Sequence, residues 1–388
     1  MNFDDTQELR EWRLQVRDFL KTERPNEYDP GAMSEGNVRE QAWWNNWKSA
    51  LSEKGWVAPA WPKEYGGAGL GVMEQFIMNE EFAEAEAPAI GGSGVGMLGP
   101  TLIVHGTEEQ KSEHLGRILQ GESIWCQGYS EPGSGSDLAS LQTRAVRDGD
   151  DYVLNGQKIW TSGAHQANWM FMLARTDPDA PKHRGISYFL IDMETPGINI
   201  RPLVNMGNMH HFNEVFFEDV RVPAKNIVGE LNRGWYIGAT TLDFERSMIG
   251  SSVGHRKAIE KHLEYWRSTS QAKNSNAAAV RNDFADRWIE AITAKMLSYR
   301  VVNMQASGEV PNSEASIAKL FSTELSQRIA RTAIKMLGLS GLRIDGDAPQ
   351  RGRTGAGYVS SVSATIAGGT SEIQRNIIAT RGLGLPRA

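Results

Sequence analysis

Four stretches of this chain hold residues that could do chemistry. The first is "WCQGYSEPGSGSDLASLQTRA", 125 to 145, where Ser130 to Asp137 form a run of hydroxyls and glycines. Glycines leave backbone N–H groups open to approach, and together with hydroxyls they can surround phosphate oxygens. The second is "NGQKIWTSGAHQANW", 155 to 169, with Trp160 directly before Thr161 and Ser162. A tryptophan followed by small hydroxyl residues can stack beside a flat ring and hydrogen-bond its edge. The third is "LDFERSMIG", 242 to 250, in which Leu242, Glu245 and Ile249 are three and four residues apart and share one helical face. The fourth is "ATIAGGTSEIQRNII", 364 to 378. Read alone, the first three have plainer readings: a solvent loop, a strand with a core tryptophan, and a Glu-Arg pair on a solvated helix face.

The elements that must position these residues fall into blocks. Asp5 followed by Glu8 reads as a capping box, and Leu9, Trp12, Val16, Phe19 and Leu20 then recur at helical spacing. After a Gly/Pro-rich break at 56–71, helical patterns resume, and "TEEQKSEHLGRILQG" gives a helix that stops at Gly121. From about 122 to 230, "DYVLNGQKIW", "NWMFMLART", "GISYFLIDM" and "NEVFFEDVRV" predict strands. Asp148-Gly149, Asn155-Gly156 and Pro196-Gly197 read as turns, Asn155-Gly156 as a hairpin turn. After Gly234 long helical patterns return. The order α, β, α in separate blocks predicts an α+β fold, with domains at 1–121, 122–231 and 232–388.

The 388 residues suffice for two or three domains. A net charge of −6 argues against a nucleic-acid surface. One cysteine, Cys126, permits no intrachain disulfide and fits a reducing, cytoplasmic setting as a small packed residue. The acidic, polar N-terminus is no secretory signal, and no apolar run approaches the roughly 18 residues a membrane helix needs.

Together, "SEPGSGSD" and "NGQKIWTS" at this spacing resemble the two signatures of the acyl-CoA dehydrogenases. "GTEEQK" (106–111), "FFEDVRVP" (216–223) and "GGTSEIQR" (368–375) are similar to further family segments, in the same order. The resemblance spans nearly the whole chain. It implies a helical N-terminal domain, a middle β-domain and a C-terminal four-helix bundle, with FAD held between the last two and touched by a neighbouring subunit. It also implies dehydrogenation across Cα–Cβ of an acyl-CoA thioester, with electrons passed to an electron-transfer flavoprotein. Residue by residue, Gln127, Tyr129 and Ser130 match flavin-edge positions. Ser136 matches the pyrophosphate and CoA entrance, Trp160 the aromatic against the isoalloxazine, and Ser162 a hydroxyl near N5. Thr370 and Glu372 match C-terminal FAD contacts.

Removing the α-proton of a thioester needs a carboxylate in a dry pocket, and donors where charge develops on the thioester oxygen. Many members place that glutamate directly before Gly-Thr, where this chain has Gly368. The resemblance to isovaleryl-CoA and long-chain acyl-CoA dehydrogenases at 242–250 implies that Glu245 is the base. Gly368 then keeps the N–H oxyanion donor, with Asp243 and Arg246 near the thioester and pantetheine.

Two features depart from the family. The segment 265–284 lacks the Arg-x-x-Phe-Gly-like arm that reaches a neighbour's FAD, and Lys335 stands where glutamine is usual. The resemblance therefore implies a homotetramer or an α2β2 heterotetramer, as in some steroid-degrading members. Three readings follow: a dehydrogenase, a non-catalytic subunit of a heteromer, or an oxidase or monooxygenase on the same fold. The small-sided "GGSGVGMLG", 91 to 99, reads either as room for a bulky acyl chain or as an inter-helix loop.

Overall fold

The computed structural model describes residues 5–29, 41–247, 253–269 and 277–386; over 243–247 only the backbone is described. Among these residues lie eleven α-helices: α1 Gln7–Glu23, α2 Trp44–Glu53, α3 Val72–Glu84, α4 Gly99–His105, α5 Glu108–Gln120, α6 Gly234–Ser247, α7 Val253–Ser268, α8 Ala277–Ala306, α9 Ser313–Leu337, α10 Arg353–Ala364 and α11 Ser371–Ile377. Between α5 and α6 run eight strands: β1 Trp125–Gly128, β2 Arg144–Asp148, β3 Asp151–Lys158, β4 Trp169–Arg175, β5 Ile186–Asp192, β6 Ile198–Val204, β7 His210–Pro223 and β8 Ile227–Val228. The expected α+β arrangement is present, with N-terminal helices, a middle sheet and C-terminal helices.

By contacts the chain forms two compact units, one of 1–50, 70–89 and 249–388, the other of 51–69 and 90–248. In the first, α8 and α9 build a core around Phe284, Ala294, Leu325 and Ile329, joined by Ile259 and Trp266 of α7. Between α1 and α3, Arg13 reaches Glu81 at 2.7 Å and Glu80 at 3.1 Å, while Arg17 meets Glu81 at 2.6 Å. The two glutamates are buried, so each needs such a partner. The expected cap at Asp5 is corrected here. Thr6 is the N-cap, its hydroxyl accepting from the Leu9 N–H, and Asp5 instead pairs with Arg13 at 2.7 Å.

In the second unit the sheet order is β6-β7-β3-β2-β4-β5-β8, with β1 parallel to β4. Met170, Met172, Phe189, Ile191, Val215 and Phe217 alternate into one core. Gly121 ends α5 in the left-handed conformation, and Gly149 and Gly197 turn the chain as expected. Asn155-Gly156 does not make a hairpin turn. It lies inside β3, where the register against β7 shifts between Leu154 and Gly156. A Cβ on Gly156 would lie 2.7 Å from Thr143 Cα, so the glycine serves close backbone approach, and the Asn155 amide exchanges two 3.0 Å bonds with Asp219.

Candidate active site

The loop after β1 is tied to β3 by an ion pair that the sequence reading gave no role. Lys158, fully buried, donates to Glu131 Oε1 at 2.8 Å and to the Tyr129 carbonyl at 3.1 Å. Glu131 in turn accepts from the backbone N–H of Gln142 (2.6 Å) and Thr143 (2.9 Å). The Ile159 N–H completes the join by donating to the Ser130 carbonyl at 2.9 Å. Burial pulls the Lys158 ammonium down to about 8, against the charge of Glu131. Burial pushes the Glu131 carboxyl up, but the Lys158 charge and the bonds it accepts outweigh this and hold it below its ordinary value. The pair is therefore ionised at neutral pH, and it brings the two motif stretches together. Its only sequence signal was the placement of Glu131 and Lys158 inside those motifs.

On this frame, Gln127 sits mid-β1 and Tyr129 is buried, its ring edge-on to Phe171. Ser136 and Ser162 are exposed, and Ser130 is half-buried. Trp160 has φ +59°, a left-handed conformation uncommon for a bulky residue, and its indole is 56% exposed. Such a backbone costs about 1–3 kcal/mol and persists where the surroundings over-determine it. Phe212 meets the indole edge-on at 5.8 Å, and Thr161 pairs with Asn213 through two 3.1 Å backbone bonds.

Among the described residues, Gln127 Nε2, Ser134 Oγ and Thr161 Oγ1 are buried side-chain atoms without a hydrogen-bond partner. Leaving each dry costs about 1–3 kcal/mol. Three such atoms on the two joined stretches, beside an exposed indole, fit a ligand with a flat ring and a polar edge. A flavin meets that description. Cys126 lies beneath, buried, its thiol pushed up to about 12 by burial, so it is no nucleophile.

Glu245 lies on α6, as do Asp243 and Arg246, with their side chains outside the described residues. Ile249 also lies outside them. The preceding turn of α6 is fixed by a buried hydroxyl cluster. Thr241 Oγ1 meets Thr101 Oγ1 at 2.9 Å and bonds the Ile237 carbonyl at 3.0 Å. The glycine-rich stretch before α4 includes a π-helical turn, Gly94–Leu98. Its small residues serve packing: a Cβ on Gly99 would sit 1.8 Å from Trp61 Cζ2, and one on Gly94 3.1 Å from Trp125 Cδ1.

In the other unit, Gly368 and Gly369 both adopt left-handed φ, +62° and +88°. Gln374 Nε2 donates to the Gly368 carbonyl at 3.1 Å, and Lys319 Nζ to the Gly369 carbonyl at 2.7 Å. No described residue accepts from the Gly368 N–H. Thr370 caps α11, its hydroxyl accepting from the Ile373 N–H at 3.2 Å. Glu372 follows in the first turn, where its own backbone N–H and the Thr370 hydroxyl hold its carboxyl below the ordinary value. Thr370 and Glu372 border a cavity of about 440 Å³ whose wall also includes Arg331 and Arg375.

Comparisons with known proteins identify the family. The models of the N-terminal, middle and C-terminal domains of acyl-CoA dehydrogenases match residues 6–122, 126–220 and 232–383. Acyl-CoA dehydrogenase IpdE1 of Mycobacterium tuberculosis is 37% identical over 98% of this chain and 99% of its own length. The structure of the Tcur3481-Tcur3483 steroid ACAD shares the fold with a TM-score of 0.86 at 32% identity, covering 100% of both chains. The ChsE4-ChsE5 complex from Mycobacterium tuberculosis does so with a TM-score of 0.86 at 35% identity, again over 100% of both. The chain belongs to the acyl-CoA dehydrogenase family. It is an FAD-dependent enzyme that dehydrogenates acyl-CoA thioesters.

Proposed function

We propose that Glu245 removes the α-proton of a bulky, steroid-type acyl-CoA, giving the trans-2-enoyl-CoA. FAD, when bound, supplies the acceptor for the β-hydride at N5. The backbone N–H of Gly368 stabilises the charge that develops on the thioester oxygen, a role that glycine fills as well as glutamate does. Asp243, Arg246 and Ser136 contact the CoA and thioester end. Gln127, Tyr129, Ser130, Ser136, Trp160 and Ser162 hold the flavin and pyrophosphate, and Thr370 and Glu372 contact the rest of the dinucleotide. Of three domains, 1–121, 122–231 and 232–388, the second and third carry these roles.

The observation that carries this reading is the joining of two flavin-type motifs by Lys158 and Glu131, with unpartnered buried polar atoms on both. The steroid substrate class rests on relatives described as a steroid ACAD. The working assembly is a homotetramer or an α2β2 heterotetramer, with an electron-transfer flavoprotein as acceptor, in the cytoplasm. Exposed Leu339, Leu342, Ile344, Val362 and Ile366 on the 338–366 segment support association, because single chains rarely leave so many large apolar side chains in water. No described helix is long and apolar enough to cross a membrane. The decisive experiment is anaerobic titration of the flavin-loaded enzyme with straight, branched and steroid-side-chain CoA thioesters. Bleaching by the bulky members supports the reading. Failure of every thioester to bleach the flavin overturns it, and oxygen consumption matching substrate loss would make the enzyme an oxidase.

A further inference from the structure

The stretch "NMHHFNE", 208 to 214, has no part in the chemistry described so far, yet it brings two histidines, His210 and His211, to join His165 beside Trp160–Ser162. Asn213 is fully buried among them. Its Nδ2 donates to the Thr161 carbonyl and to His165 Nδ1, each at 3.0 Å, and its Oδ1 accepts from His210 Nε2 at 2.8 Å. The His165 and His210 rings stack with centroids 4.1 Å apart, and the Gly163 N–H donates to the His211 carbonyl at 3.0 Å.

This set has one consistent proton arrangement. An amide nitrogen only donates and an amide oxygen only accepts. His165 must therefore present a bare Nδ1, and His210 must carry its proton on Nε2. Turning the amide over would set Asn213 Oδ1 against the Thr161 carbonyl oxygen. A second proton on His210 leaves its donor in place. A proton on His165 Nδ1 sets donor against donor, and the amide cannot satisfy both Thr161 and the imidazolium.

We propose that Asn213 is a positioning residue for the flavin-facing segment Trp160–Ser162, and that His165 is its proton-sensitive latch, releasing the segment and with it FAD when Nδ1 is protonated. The proposal rests on Trp160 and Ser162 being flavin contacts. The titratable groups facing His165 are His210 and His211, both of which disfavour a second positive charge. Burial first, then His210, with a smaller push from His211, hold the His165 imidazole below its ordinary value against the opposing effect of its bond to Asn213, so the latch is closed at neutral pH and opens on the acid side.

The test uses holoenzyme between pH 7.5 and 5.0, for wild type and His165→Asn, whose amide oxygen reproduces the bare Nδ1 but cannot be protonated there. Two readouts are taken: hydrogen exchange of the peptide containing 159–166, corrected for intrinsic rate, and FAD release by recovery of flavin fluorescence. In wild type, acid is expected to raise both at least tenfold, and in His165→Asn neither by more than about twofold. Asn213→Asp should release FAD at least tenfold faster at pH 7.5. Identical exchange profiles for wild type and His165→Asn would overturn the latch. Acid-dependent exchange without FAD release would overturn the link to FAD and point to Trp160 and Ser162 as misassigned. Should Asn213→Asp fail to fold, the His165→Asn comparison decides alone.

Discussion

At the scale of single residues, the base is the first question. Glu245→Gln preserves size and helix propensity but cannot accept the α-proton. It is expected to keep FAD while turnover falls about three orders of magnitude or more, as loss of a positioned base does. Near-normal turnover in single-turnover flavin reduction would refute the assignment. A carboxylate returned to position 368 has the right chemistry, and good placement gives a high effective molarity. Its backbone conformation works against it: φ is +62°, where a side chain costs about 1–2 kcal/mol. Gly368→Glu/Glu245→Gly is therefore expected to recover only part of the lost rate, best with slim straight-chain acyl-CoAs. Equal inactivity of the double variant and Glu245→Gly toward every chain, with FAD bound, would count against position 368 as an alternative base site.

At the scale of elements, the buried Lys158–Glu131 pair locks the loop after β1 onto β3. Glu131→Gln strands a buried ammonium and weakens the hold on the Gln142 and Thr143 N–H groups. Breaking one side of such a pair costs about 3–5 kcal/mol, so a clear drop in denaturant midpoint and loss of FAD on gel filtration are expected. Adding Lys158→Met should recover much of the stability, since it removes the stranded charge; no recovery would mean that the backbone bonds to Glu131 dominate. The pH dependence has a definite sign. The Glu131 carboxyl is depressed in the fold, so its contribution is complete above its unfolded value, about 4.3, and is lost as pH falls through the lower folded value. Lys158 titrates near 8 in the fold against about 10.4 unfolded, so its burial penalty lessens as pH rises across that interval. Denaturation midpoints from pH 3 to 7 should accordingly fall less steeply toward acid in Glu131→Gln than in wild type.

At the scale of the whole molecule, the apolar side chains exposed on 338–366 call for a partner surface. Sedimentation of the active, flavin-loaded species is expected to give a tetramer, and a single 42.9 kDa chain carrying full activity would refute it. Leu339→Lys, at a side chain 85% exposed, should weaken association while leaving the fold of the chain intact, read by sedimentation and far-UV circular dichroism. If the assembly is heteromeric, a related chain should co-purify from the native host, and FAD retention should depend on it.

Much of the fold was legible because its signals are local. Gly121, Gly149 and Gly197 mark positions where the backbone must enter the left-handed region, and the blocks of helical and strand pattern follow from side-chain period alone. The motif stretches at 125–145, 155–169 and 364–378 were equally visible as residue types at fixed spacing. Long-range contact decided the rest. Asn155-Gly156 has the composition of a hairpin turn, but the approach of Thr143 makes it a bulge within β3. Asp5 has the composition of a cap, but Arg13, about two turns further on, claims its carboxylate and leaves Thr6 to cap the helix. The glycines at 94 and 99 are demanded by the rings of Trp125 and Trp61, which lie distant in sequence. Glu131 with Lys158, and Asn213 with His165 and His210, are pairs that no spacing announces. Residue chemistry belongs to the chain, whereas the partner that satisfies or charges each group is set only when the sheet brings separated segments within hydrogen-bond reach.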